Sequence, residues 1–185
     1  MANTILVQTH VAAMDVDSYN RVAYNATTAF QNGAALAMGA LVPNPATGRN
    51  KMPFVFQVAA PAAVQTNVWL ACSPEVNILT AGASQYKGLN NDPRDFTNIA
   101  GMPFDAFKPV VGDLIQVTTP FFSNAKDPGT VTGATVVEMT AAGAFESLAA
   151  ATSGYAGIAF KILRKESTIV GSDIVDAWIL ECTAN

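Results

Sequence analysis

YKGLNNDPRDFTNIAGMPFDAFKPVVGDLIQVT, residues Tyr86–Thr118, holds four aromatics, three prolines and three glycines, and it ends in a clear strand signal. Within it, Lys108-Pro109-Val110-Val111-Gly112-Asp113 reads as a tight turn. Proline presets φ, and the Gly-Asp pair tolerates the backbone angles that a chain reversal needs. Leu114–Thr118 follows as a short β-rich segment. Such a turn feeding a hydrophobic strand is a common way into small β-barrels and sandwiches. It sets a fold and carries no catalytic motif.

The half before the turn has a different character. Asp92-Pro93-Arg94-Asp95 and Ala100-Gly101-Met102-Pro103 interrupt residues 86–107, and no 3.6- or 2-residue period runs through them. Connections longer than about 12–15 residues without structure of their own are uncommon in compact domains. Aromatics spaced along such a connection pin it down by packing, and chains bound for disorder seldom carry so many. The expectation is an ordered excursion held by Tyr86, Phe96, Phe104 and Phe107, covering the core or touching a partner. Asp92, Arg94 and Asp95 would form a local ion pair that stiffens it.

Working outward, Ile5–Val11 reads as a first strand, or as part of an N-terminal arm (residues 1–14) laid on a neighbouring molecule. As an arm it could be removed without loss of the fold. Residues 15–185 then make one domain. Asp15–Ser18 offers helix caps, and Tyr19, Val22, Ala23, Ala26 and Phe30 recur at helical spacing, which permits a short helix. Ala34–Val42 reads as a strand. In Met52–Val58 the residues Met52, Phe54, Phe56 and Val58 share a face. In Val64–Ser73 strict alternation puts Trp69 on the polar side, as a contact anchor unless a loop covers it. Glu75–Thr80 is a weaker strand and Thr130–Met139 a Val/Thr-rich one. Ala141–Ser153 reads as a loop with a helical turn. Gly157–Leu163 alternates, with Ile158, Phe160 and Ile162 inward and Leu163 out of phase. Arg164–Gly171 looks like a hairpin connection. Ile174–Cys182, apolar on both faces, is a central closing strand. Short strands with turn signals every 8–12 residues or so predict an all-β sandwich or barrel-like single domain with long ordered loops.

Composition narrows function. The 185 residues are 50% hydrophobic but only 13% charged, with a net charge of −4, against about 25% charged in typical domains. The surface is therefore built of uncharged polar and small residues, which suits extensive protein contact. Nucleic-acid binders need a basic stripe to displace counterions, and here only Arg164-Lys165 adjoin, so none is expected. No run approaches the ~18 apolar residues of a membrane span. The N-terminus lacks the basic start of a secretory signal, so synthesis in a cytoplasm is expected. Cys72 and Cys182 read as small buried hydrophobes, with a disulfide left open. His10 is the sole histidine, which removes multi-histidine metal sites and weakens any Ser-His or Cys-His scheme. Phosphate loops, a nucleophile elbow and zinc spacings are absent. Asp92, Asp95, Asp105 and Asp113 read as solvated or turn-capping rather than metal-binding. Neither an enzyme nor a cofactor is expected.

Three stretches resemble a family of tailed-bacteriophage structural proteins, the head decoration or auxiliary capsid proteins. They are Met14–Arg21 (MDVDSYNR), Val68-Trp69 through Ser73-Pro74-Glu75, and Tyr86–Leu89 through Asp92–Phe96 to Phe104–Pro109 and Gly112-Asp113. The short, compact decoration protein of lambda-like phages is not resembled. The resemblance implies a module on the outer face of a finished shell, with the major capsid protein and further copies of itself as partners. Contacts would fall on Ile5, Val7, Trp69, Tyr86, Arg94, Phe96, Phe104 and Phe107. Alternatives are a tail-tube, head-fibre or baseplate subunit, or a small ligand-binding barrel or enzyme using the Asp92–Asp105 loop.

Overall fold

A computed structural model describes residues 3–43, 54–74, 93–123, 126–141, 143–170 and 173–185. Its strands are β1 (Leu6–His10), β2 (Asn20–Tyr24), β3 (Ala35–Leu41), β4 (Val55–Ala59), β5 (Val68–Ala71), β6 (Phe104–Phe107), β7 (Leu114–Thr118), β8 (Val136–Ala141), β9 (Ala144–Leu148), β10 (Ala159–Val170) and β11 (Asp173–Ala184). Helical structure among the described residues is confined to three-residue 3-10 turns. The protein is mainly β, as its turn and strand signals predict. An antiparallel sheet runs in the order β1-β7-β11-β10-β8-β9, and β2-β4-β3-β5-β6 close into a barrel. Within the barrel only β2 and β4 run parallel.

The turn at residues 108–113 forms as its residues dictate. Gly112 sits at φ +96°, where a side chain would be strained. Asp113 is buried and accepts two backbone N–H bonds at 2.8 Å, from Ala12 to Oδ1 and from Val110 to Oδ2. One carboxylate thus closes the turn and ties the N-terminal segment to β7. β11 lies between β7 and β10, the central place its two apolar faces call for. Leu163 falls where Ile162 pairs with Leu180 but Arg164 pairs with Ile179. It is the extra residue of a bulge, which explains why it breaks the alternation and stands exposed.

Barrel and sheet share a core. Val68, Leu70 and Phe107 of the barrel pack with Leu6, Ile115, Val117, Phe160 and Leu180 of the sheet. A second cluster gathers Ala23, Phe30, Leu36, Val58, Trp69, Ala71 and Phe104. β5 therefore has apolar groups on both faces, odd residues to one cluster and even residues to the other, and all four are buried. Trp69 is 3% exposed. The alternation that placed it on a polar side extends past the real strand. Val64 and Asn67, at φ +58°, hold a turn rather than a strand, so the polar residues beside them say nothing about β5.

Other expectations are corrected in the same way. Residues spaced for a helix after Tyr19 instead form β2, and an Asn25 side chain accepting from the Thr27 and Thr28 N–H groups turns the chain. Phe54 does not share a face with Phe56 and Val58, and Met52, expected with them, lies outside the described residues. Phe54 is exposed with φ +61°, and Val55 and Val58 are the buried pair. Within Thr130–Met139 only the end is strand, beginning at Val136. Ala144–Leu148 is a strand rather than a loop, with Phe145 stacked on Phe121 at 4.5 Å. Arg164–Val170 continues β10 rather than forming a connection. Glu75–Thr80 lies outside the described residues.

Candidate functional site

The residues expected to make contacts divide by burial. Ile5, Phe96, Phe104 and Phe107 lie in the interior with Trp69, while Val7 is 45% exposed and the Arg94 side chain 28%. Tyr86 lies outside the described residues. Phe96, Phe104 and Phe107 pack inward along the described part of their stretch, residues 93–107. Arg94 pairs with Asp173 of β11 at 2.5 Å, which links its segment to the sheet; Asp92, expected beside it, lies outside the described residues. Burial of Trp69 makes its truncation a stability lesion. Its outer neighbour is Arg21, whose guanidinium lies over the Phe56 ring at 4.3 Å and the Trp69 ring at 5.0 Å.

The N-terminal segment is built into the fold. β1 pairs with β7, Ile5 N–H donates to Thr118 Oγ1 at 3.0 Å, and Asn3 Nδ2 donates to the Phe96 carbonyl at 2.7 Å. Leu6, Val11 and Ala13 belong to the main core. Of the two readings of Ile5–Val11, the first strand is the one that forms, as β1; removing residues 1–14 would strip this edge strand and these side chains, which corrects only the alternative of a dispensable arm.

Two surface features emerge that sequence reading missed. The first is the end of the β10–β11 ribbon. Ile169 and Ile174 pair across the strands at 76% and 75% exposure. Among the described residues, no third strand pairs with the ribbon beyond Lys161 of β10 or before Ala177 of β11. Lys165 and Asp176 pair at 2.8 Å along it. Reading Arg164–Gly171 as a connection hid this feature. The isoleucines were visible, but not their exposure.

The second feature surrounds Glu138. In β8, Val137 and Met139 enter the core, so alternation turns Glu138 to the opposite face. There it is only 1% exposed, because the segment 149–157 crosses that face. The Thr152 N–H donates to Glu138 Oε1 at 2.9 Å. The Tyr155 hydroxyl accepts from Met139 N–H at 2.9 Å and lies 3.1 Å from the Met139 and Ile158 carbonyls. Burial, with the Glu138 charge adding to it against a backbone bond that opposes both, raises the Tyr155 pKa and keeps its proton in place as a donor. Glu138 Oε2 has no hydrogen-bond partner, alone among buried side-chain N and O atoms of the described residues. A cleft of about 410 Å³ adjoins it, lined by Glu138, Thr152, Tyr155, Phe160, Lys161 and Ile162 among others. A local sequence reading finds no signal for this, since the burial depends on a loop arriving from elsewhere.

Among the described residues, no group of three or more His, Cys, Asp or Glu is placed to hold a metal ion, and no helix is long and apolar enough to cross a membrane. Cys72 and Cys182 are thiols rather than a disulfide. Burial, with the Asp113 charge nearby, pushes the Cys182 thiol up to about 12. No family model, curated protein or solved structure matches the chain.

Proposed function

We propose that this chain is a structural protein of a tailed-bacteriophage virion, docking on the outer surface of the assembled head and stabilising it. Its partners are then the major capsid protein and further copies of itself. The observation that carries this reading is the ribbon end, where two large apolar side chains face solvent at the tip of a twelve-residue hairpin pair. A chain with few charges and an exposed apolar pair is suited to protein contact. The resemblance of Met14–Arg21, Val68–Glu75 and Tyr86–Asp113 to head decoration proteins supplies the setting. A net charge of −4 favours a position away from packaged DNA. Ligands that bind only the assembled state stabilise it by linkage, and this is how such a protein would act on the shell.

The test is co-sedimentation of the purified protein with mature heads that lack it. Wild type is expected to bind saturably, and Ile169→Thr/Ile174→Thr, which keeps β-branched residues at the pair, to lose at least about tenfold in affinity while unfolding at nearly the same urea concentration. Equal binding by both proteins would remove the ribbon from the interface. Absence of wild-type binding would remove the docking reading itself.

A further inference from the structure

Buried polar groups without a partner are rare in folded proteins, and each calls for an explanation. Glu138 is such a group. It occupies the outward face of β8, where a serine or threonine would satisfy the same strand position without desolvating a charge. One of its oxygens is used by the Thr152 N–H. The other is shielded from solvent and unpartnered, yet the side chain lines an open cleft whose walls include Val136, Phe160 and Ile162. A lining of apolar and uncharged polar groups with Glu138 as its one carboxylate matches a long aliphatic stem that ends in a cation. Lys161 lines the same cleft, but its side chain is exposed and makes no ion pair with Glu138.

We propose that the cleft between β8, β10 and the segment 149–157 receives a lysine or arginine side chain of a docked protein partner, with Glu138 Oε2 as its counter-charge. The chain's acidic balance complements such a partner. The cation reaches Oε2 by a small outward shift of the exposed Thr152 turn, and the Oε2 charge gains the partner it lacks. This rests on the reading of the chain as a docking protein, and it assigns a second contact separate from the ribbon end.

The experiment uses the isolated full chain, so its outcome is independent of any virion. n-Butylammonium chloride is titrated into isotope-labelled protein, with n-butanol and sodium chloride as controls. The chemical shifts of the Thr152 amide and the Glu138 side-chain carboxyl are followed. The proposal expects saturable shifts with n-butylammonium alone, weakened at least about tenfold in Glu138→Gln, since a charge-assisted bond is lost. It is overturned if n-butanol reproduces the shifts, if Glu138→Gln retains the affinity, or if neither group responds. It is also overturned if Lys161 proves to be paired with Glu138 in the free protein. Should Glu138→Gln fail to fold, the contrast between the amine and the alcohol on wild type decides.

Discussion

Asp113, just before β7, and Glu138, within β8, are both nearly fully buried carboxylates, and they differ in what meets their oxygens. Asp113 has a backbone N–H on each oxygen, one from its own turn and one from Ala12. Glu138 has one such bond and one unpartnered oxygen. A carboxylate taken from water is tolerated when its lone pairs are used, and is costly when they are not. The difference marks Asp113 as part of the scaffold and Glu138 as a group held ready for something else.

Substitutions should separate the two sites. Asp113→Ala leaves two N–H groups without acceptors and is expected to cost about 3 kcal/mol, at roughly 1–3 per stranded group, read from urea unfolding. Asp113→Asn keeps one acceptor and turns an NH2 toward the other N–H, for an expected loss of about 2 kcal/mol. Glu138→Gln preserves the acceptor for Thr152 and removes an unpartnered charge. It should stay within about 1 kcal/mol of wild type or gain stability. Equal losses in the two amide variants would abolish the contrast.

A further effect is in pH. The Cys182 thiol is pushed up to about 12 from 9.0, by burial first and by Asp113 second. A raised folded-state value favours the protonated fold. Its contribution is complete below pH 9 and is lost as pH rises from 9 toward 12. Unfolding free energy should decline across that window, and less steeply in Cys182→Ser. A flat profile would place the thiol in a less enclosed site. The same sign holds for Tyr155, whose value is raised above 10.0.

The two carboxylates also show what a sequence can disclose. The turn-closing half of Asp113's role was legible because it is local, with proline, glycine and aspartate spelling out a turn within six residues; its bond to Ala12 was not. The central position of β11 was legible because two apolar faces need cover on both sides. Glu138 was not, since it sits in an ordinary Val/Thr-rich run and is buried by Thr152 and Tyr155. Trp69 was misplaced because Val64–Asn67 imitates strand alternation while its backbone turns at positive φ. The ribbon was shortened because Arg164, Lys165 and Glu166 look like a polar connection, although strands flanked by solvent carry charge on either face.

The most direct test of the proposed role is the number of copies of this chain per purified virion, measured by quantitative mass spectrometry against the major capsid protein. A copy number comparable to that of the shell protein is expected, as an outer module at repeated joints requires. A handful of copies would place the chain at the tail, a vertex or a fibre, and its absence from the particle would contradict the virion role altogether.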